Sequence, residues 1–279
     1  MHIVQPVEHL IEIDGLITVY NFARPKGFYF PGESHDFWEC VYIREGEVTA
    51  TADERVYQLG PGKLLVHKPM EFHRIWSKKD CAPWLINISF QAHGPLTEKL
   101  AGSCFDLRNE QQVQLFEIVN TFSKISVARD SQHTEEYKAF INLAAVQLEA
   151  LLLTIANSDL HNAPSQAPRD EQFSRIVQVM KTNCHKNLTQ TDLAELCQMS
   201  VSNMKRVFHQ YSDVGIAKYF LTLRMRYAME LLENGTPANQ VAEILNFPDP
   251  PYFYTVFKRE TGITPTQYRK QKTFDKRPV

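Results

Sequence analysis

The stretch SVSNMKRVFHQY (residues 200–211) has the two-faced pattern of an amphipathic α-helix. At 3.6 residues per turn, the apolar side chains of Met204, Val207 and Phe208 fall on one face. The opposite face carries side chains suited to phosphates and base edges: Ser202, Lys205, Arg206 and His209. An ordinary surface helix shows the same pattern, so its meaning depends on what accompanies it.

The pattern returns 49 residues later, in DPPYFYTVFKRETGITPTQY (residues 249–268). Met204 then corresponds to Phe253 and Phe208 to Phe257, so the inner apolar stripe is repeated. Upstream, LAELCQM (193–199) matches VAEILNF (241–247) at an offset of 48. The repeat predicts two copies of a helix, a tight turn and a second helix. Asn246 lies in the second turn, and Asn tolerates the left-handed backbone that such a turn requires. Gln198 lies in the first turn, and its side chain gives no comparable preference for that backbone.

The segment 214–233 between the copies is rich in Leu and Met and is followed by Gly235, which predicts one helix. Twenty residues at 1.5 Å each give about 30 Å, close to the roughly 34 Å of one turn of B-DNA. A rigid helix of this length is able to place two recognition helices in successive major grooves. Thr189 with Asp192 predicts a capping box, and Asp249 before Pro250 predicts a helix start.

Bulk composition agrees with a DNA-binding C-terminal half. Residues 170–279 carry 15 Lys and Arg against 11 Asp and Glu, whereas residues 1–169 carry 15 against 21. The five cysteines are widely spaced and fit neither a disulfide framework nor a zinc knuckle. Neither a secretion leader nor an uninterrupted apolar run of membrane-spanning length is present, so we expect a cytoplasmic protein with no membrane partner.

The C-terminal segment from Phe173 to Lys270 resembles the AraC/XylS family of bacterial transcriptional regulators. The most specific part is FKRETGITP (257–265), followed by Tyr268 and Arg269. The resemblance implies an all-α domain of seven helices, in which two helix-turn-helix units bind double-stranded DNA through the third and sixth helices. It also implies a role in transcription, with RNA polymerase as a further partner.

Carried over by position, the base-contacting residues of the first unit are Ser202, Lys205 and Arg206, with Asn203 and His209 near the DNA backbone. The second unit departs from the family pattern, which favours polar residues and an arginine there. Limited base reading is therefore expected from Tyr254 and Thr255. Backbone contacts are expected from the N-terminus of that helix and from Pro251, Lys258 and Arg259.

From about Leu16 to Phe90, β-branched and aromatic runs separated by turns predict an antiparallel sandwich or small barrel. The segment resembles the cupin-type barrel attached to such DNA-binding domains, through two groups of residues: His35, Glu39 and Gly46, then Gly60-Pro61-Gly62 and His73. Phe37 stands where cupin enzymes place a second histidine, so we expect no metal and no other cofactor. The polar groups expected in a small-molecule effector pocket are Arg24, His35, Glu39 and His73.

The predicted fold class is thus α+β with two domains, in which a cupin-like β-barrel and its C-terminal helices precede the all-α domain. The predicted segments are an effector-binding barrel (1–109), helices that cover the barrel or form a homodimer (110–157), a linker (158–169) and the DNA-binding domain (170–279). By analogy, Met1 to Asp14 form a mobile arm.

The favoured function is a ligand-responsive, sequence-specific transcriptional regulator that controls carbohydrate or related small-molecule metabolism and is not an enzyme. Its expected effector is a small molecule such as a sugar. The sequence leaves three alternatives open. They are a DNA-binding regulator without a ligand, a cupin metalloenzyme fused to a DNA-binding domain, and an architectural chromosome protein.

Overall fold

The computed structural model describes residues 7–127, 134–159, 161–162 and 168–275. The chain divides into two compact units, residues 1–166 and 167–279. The first contains two antiparallel sheets and the second contains helices, which confirms the predicted fold class.

Two antiparallel sheets form the first unit. The six-stranded sheet has the order β1-β8-β3-β6-β9-β10, and the four-stranded sheet has the order β2-β7-β4-β5. The strands are β1 (Glu12–Ala23), β2 (Tyr29–Glu33), β3 (Trp38–Glu45), β4 (Val48–Ala52), β5 (Arg55–Leu59), β6 (Lys63–His67), β7 (His73–Ser77), β8 (Trp84–His93), β9 (Ser103–Asp106) and β10 (His161–Asn162).

Alternation along β3 explains why the six-stranded sheet is buried on both faces. Cys40 and Tyr42 belong to a core shared with helices, whereas Val41 and Ile43 belong to a core shared with the four-stranded sheet. Glu39 has the parity of Val41, and it therefore points into the space between the two sheets.

The described residues of this unit contain three helices, namely α1 (Thr97–Leu100), α2 (Asn109–Val127) and α3 (Glu135–Ala156). Leu148, Leu151 and Ile155 of α3 are fully buried in the core beneath the six-stranded sheet. Among the described residues, α3 is the one helix that is long and apolar enough to cross a membrane, judged by length and composition alone. A core helix of a soluble protein passes the same test, and the buried face of α3 packs on the sheet.

The structure corrects two boundary predictions. β1 begins at Glu12 and pairs with β8, and Ile11 is buried, so residues 11–14 are part of the sandwich and do not form a mobile arm. Residues 1–6 lie outside the described part. The predicted linker is shorter, because His161 pairs with Phe105 of β9 and the first helix of the second unit begins at Pro168. Positions 163–167 lie outside the described residues.

The described part of the second unit, residues 168–275, contains seven helices, as the resemblance implied. They are α4 (Pro168–Thr182), α5 (Gln190–Leu196), α6 (Val201–Phe208), α7 (Ile216–Glu233), α8 (Ala238–Ile244), α9 (Pro250–Thr261) and α10 (Pro265–Asp275). The helix-turn-helix pairs are α5–α6 and α8–α9, and α7 connects them.

The two tight turns have the same backbone geometry. Gln198 has φ 55° and Asn246 has φ 51°, both left-handed. In each turn the next amide donates to the fifth carbonyl before it, Met199 N to Ala194 O and Phe247 N to Ala242 O, each at 2.9 Å. Gln198 therefore adopts a backbone that is uncommon for its side chain, because the closing hydrogen bonds require it.

Candidate nucleic-acid interface and effector site

Helix α6 separates its two faces as the sequence predicts. Met204, Val207 and Phe208 are buried, with Phe208 packed edge-to-face on Tyr219 of α7 at 5.2 Å. The exposed positions are Ser202, Lys205, Arg206 and His209, and Asn203 is half-buried. The Ser200 hydroxyl caps the helix by accepting from Asn203 N at 3.2 Å.

Arg206 is held on the exposed face of α6 by its neighbour one turn before. Its Nη2 donates to Asn203 Oδ1 at 2.8 Å. This contact uses one of the five N–H donors of a guanidinium, so the planar fork is still able to make a bidentate contact.

Helix α9 presents a different chemistry at its start. Pro250 and Pro251 have no N–H, Asp249 Oδ1 accepts from Tyr252 N at 2.6 Å, and Asp249 O accepts from Phe253 N at 3.2 Å. The first turn of α9 thus has no free N–H group, and a carboxylate occupies the end where a phosphate would bind. The first turn therefore offers no free backbone donor for the phosphate contact predicted at this helix N-terminus.

The predicted base-reading residues of α9 are engaged within the protein. The Tyr254 hydroxyl is 3.4 Å from Thr266 Oγ1 of α10, and the Thr255 hydroxyl donates to Pro251 O at 3.0 Å. Tyr252 also lies on the exposed surface of α9, where its side chain is 53% exposed, and it was not among the predicted DNA-contacting residues. The offset of 49 residues pairs it with Asn203, and that correspondence is the signal that would have found it.

Two cations lie further along α9. Lys258 and Arg259 are exposed, and Arg259 Nε donates to Glu260 Oε1 at 2.9 Å. Glu260 also accepts from Lys218 of α7. Burial acts to raise the pKa of Glu260, but these hydrogen bonds and charges lower it overall. The resulting carboxylate offsets part of the positive charge beside Arg259.

Buried groups on α7 fix the second helix-turn-helix unit. Arg224 is 5% exposed and donates to Leu245 O at the end of α8, and to Asn187 Oδ1 at 3.0 Å. Its guanidinium carbon lies 4.6 Å from the ring centre of Phe247. A single arginine therefore joins α7 to the second turn and to the loop before α5.

In the first unit the structure brings three of the four predicted effector residues together. His35, Glu39 and His73 are joined by Glu33, which was not predicted from the sequence. One ligand atom from each of the four residues lies within 4.8 Å of all the others. The register of β2 and β7 explains the addition, because Glu33 pairs with His73 across a bulge in β2.

Gly32 makes this bulge possible. Its φ is +97°, and a Cβ there would lie 2.7 Å from the Phe72 ring and 2.8 Å from the His73 carbonyl oxygen. Any other residue would therefore be strained and crowded at this position.

The buried members of the cluster have shifted pKa values. Burial, assisted by Glu33, raises the pKa of Glu39 to about 7. Burial and the neighbouring rings of His67 and His35 lower the pKa of His73 well below 6.5, and burial also lowers that of His35. Both imidazoles are therefore neutral at physiological pH.

The structure does not place Arg24 with this cluster. Its guanidinium lies over the rings of Phe22 and Phe28, at 4.1 and 4.9 Å from their centres. Arg24 directly follows Ala23 of β1, and Ala23 pairs with Trp84 of β8. Glu39 pairs with Ser89, which lies five residues beyond Trp84 on the same strand. That separation is about 17 Å at 3.4 Å per residue.

Comparison with known proteins gives two matches to family models. An AraC-like ligand-binding domain matches residues 17–113, and a helix-turn-helix domain matches residues 193–271. Together these models span more than half of the chain.

The chain is also similar to individual proteins. The chain is 22% identical over 262 residues to the HTH-type transcriptional activator RhaR of Yersinia pestis, covering 90% of this chain and 87% of that protein. It is 28% identical over 104 residues to the bifunctional transcriptional activator/DNA repair enzyme AdaA of Bacillus subtilis, covering 37% of this chain and 49% of that one. The crystal structure of ToxT from Vibrio cholerae aligns with TM-score 0.38 and 12% identity, covering 93% of this chain and 100% of that one. The chain belongs to the AraC family of transcriptional regulators and has a ligand-binding domain followed by a helix-turn-helix DNA-binding domain.

Proposed function

We propose that this regulator reads DNA sequence mainly through α6 and uses α9 mainly to hold the DNA backbone. The observation that carries the proposal is the contrast between the exposed faces of the two helices. Helix α6 offers Ser202, Lys205 and Arg206 as exposed donors. At the positions that match Lys205 and Arg206, α9 has only the hydroxyls of Tyr254 and Thr255, and each hydroxyl already contacts another group of the protein.

Backbone contacts in this proposal come from Asn203 and His209 of α6 and from Lys258 and Arg259 of α9. The two cations are exposed, and charge on such residues strengthens binding to any sequence without specifying one. Pro251 contributes at most an apolar contact, because it has no N–H to donate.

Helix α7 supports the use of both units on one face of a duplex. It has 18 residues and is therefore about 27 Å long, two residues shorter than the sequence predicts. This length is still comparable to one helical turn of B-DNA, about 34 Å.

Selection of binding sites from random duplex DNA by the full-length protein tests this proposal. We expect strong base preference in one half of the selected site and weak preference in the other. The variant Lys205→Ala with Arg206→Ala should remove the strong half. Equal base preference in both halves for the unmodified protein would refute the division of roles.

For the effector, we propose a small molecule bound between the two sheets and oriented by His35, Glu39 and His73. The support is that these polar groups converge between two apolar sheets, as in ligand sites where few polar groups set orientation. A carbohydrate is the first class to test. Calorimetry with panels of sugars and small acids should detect a ligand that the Glu39→Gln variant binds less tightly and the Arg24→Ala variant binds equally well.

We also propose that the protein is a cytoplasmic homodimer that controls transcription with RNA polymerase and catalyses no reaction. Support for the dimer comes from an exposed stripe on α3, formed by Ala139, Leu143, Val146 and Ala150. Its spacing of four, three and four residues is the spacing of a coiled-coil seam.

A further inference from the structure

The cluster of Glu33, His35, Glu39 and His73 contains two imidazoles and two carboxylates from separate parts of the sandwich. Glu33 ends β2, His35 lies between β2 and β3, Glu39 lies in β3, and His73 begins β7. One nitrogen or oxygen of each lies within 4.8 Å of the others. Imidazole nitrogen and carboxylate oxygen are common ligands of divalent transition metals.

Backbone carbonyls fix the orientation of both imidazoles. His73 Nδ1 is 3.1 Å from the carbonyl oxygen of Glu71, and His35 Nδ1 is 2.9 Å from that of Phe37. A carbonyl only accepts, so each Nδ1 carries the hydrogen and each Nε2 presents a lone pair. Both Nε2 atoms are buried and have no hydrogen-bond partner. His73 is 3% exposed, so bulk water does not reach its Nε2 to supply the missing hydrogen bond.

The acceptor atoms face one another across a distance that suits an ion. His73 Nε2 is 3.6 Å from Glu39 Oε1, which is longer than a normal hydrogen bond. Two ligands on one tetrahedral Zn²⁺, each about 2.1 Å from the metal, are separated by about 3.4 Å. The pair therefore needs little movement to share an ion, and exposed Glu33 has room to adjust.

Neighbouring groups hold the ligands in place, as in metal sites with an ordered outer shell. The ring of His73 stacks on His67 at 4.3 Å and meets His35 edge-on at 4.9 Å. Ser89 Oγ donates to Glu39 Oε2 at 3.3 Å and leaves Oε1 facing His73.

We propose that Glu33, His35, Glu39 and His73 bind one divalent transition-metal ion, for which Zn²⁺ is the probe of choice. The imidazole pair disfavours Mg²⁺ and Ca²⁺, which take oxygen ligands. From the sequence, Phe37 stands where a metal ligand is missing. The Phe37 ring instead stacks on His35 at 3.7 Å, and Glu33 supplies the fourth ligand.

The test uses the full-length protein, stripped with a chelator and titrated with Zn²⁺ in competition with a chromophoric chelator. We expect one ion per chain and a rise in the melting temperature on binding. Glu39→Gln and His73→Gln should each weaken Zn²⁺ binding by at least about tenfold. Glu33→Gln, at an exposed position, should weaken binding without changing the melting temperature of the metal-free protein.

The matched control is His93→Gln. His93 lies in a second histidine–carboxylate group with Asp14 and Glu12, but this group is exposed, and the His93 side chain is 62% accessible. The control should bind Zn²⁺ like the unmodified protein. Any of three results would overturn the proposal. They are a loss of Zn²⁺ binding in His93→Gln, full Zn²⁺ binding in both Glu39→Gln and His73→Gln, and no binding by the unmodified protein at micromolar Zn²⁺. The titration contains neither DNA nor effector, so its failure leaves the proposed effector and DNA functions untouched.

Discussion

Arg206 is the residue on which the proposed base reading depends most. Its guanidinium is exposed and held by Asn203, and a bidentate contact to guanine is worth about 1–3 kcal/mol of discrimination. We expect Arg206→Ala to relax base preference at one position of the selected site while the other positions keep theirs. Site selection followed by sequencing measures the change.

Arg206→Lys separates charge from geometry in the same experiment. Lysine keeps the positive charge but loses the planar fork, so we expect overall affinity to stay close to that of the unmodified protein while preference at the one position falls. A preference that Arg206→Ala leaves unaltered would exclude Arg206 as a base-reading residue.

Asp249 gives a second prediction at the scale of one residue, because its carboxylate both caps α9 and adds negative charge near DNA. Asn caps a helix as well as Asp, so Asp249→Asn should preserve the helix and bind DNA more tightly. The gain should shrink as salt screens the charge. Fluorescence anisotropy at several salt concentrations measures it.

Asp249→Ala is the companion variant. It removes the same charge but also the cap, and we expect it to destabilise the second unit by about 1 kcal/mol. If Asp249→Asn binds DNA no better than the unmodified protein even at low salt, the carboxylate does not lie near a phosphate.

At the scale of elements, Arg224 connects α7 to the second helix-turn-helix unit. Replacing it with methionine keeps much of the volume but leaves the buried Leu245 carbonyl without this donor. We expect Arg224→Met to lower the free energy of unfolding of a fragment spanning residues 167–279 by about 1–3 kcal/mol. Urea unfolding followed by circular dichroism measures it.

Lys218→Met is the control on the same helix. Lys218 makes a surface ion pair with Glu260, and its side chain is 58% accessible. Such pairs contribute roughly 0–1 kcal/mol. An equal loss of stability in the two variants would mean that the buried position of Arg224 has no special role.

Local patterns predicted the elements that carry their own signals. The repeated apolar stripe predicted α6 and α9, and Thr189 and Asp249 cap helices as expected. Strand β7 carries a weaker signal of its own, because HRIWS is short and its order comes from pairing with β2 and β4. Gln198 shows the same limit, since hydrogen bonds to residues several positions away impose its left-handed backbone.

For the candidate effector site, the sequence predicted only part of the polar cluster. His35, Glu39 and His73 were identified from their spacing, but Glu33 joins them through a β-bulge that pairs it with His73. Register shifts of this kind depend on contacts between distant strands, which one sequence does not display. Arg24 was included on residue type alone, and the sheet register places it about 17 Å away along β8.

At the scale of the whole molecule, the proposed dimer depends on the stripe of Ala139, Leu143, Val146 and Ala150. Leu143 and Val146 are 47% and 59% exposed, which is costly for large apolar side chains unless a partner covers them. Leu143→Glu combined with Val146→Glu should convert the dimer to a monomer in analytical ultracentrifugation, because like charges would face each other across a symmetric seam.

The same variant should bind a two-half-site DNA more weakly by a factor of about 10²–10⁴, since each chain then loses the effective concentration that its partner provides. Binding to a single half-site should not change. Val113→Glu is the matched control, because Val113 is 56% exposed but lies on α2, outside the stripe. A monomer produced by Val113→Glu, or a dimer that survives both changes on α3, would place the interface elsewhere on the molecule.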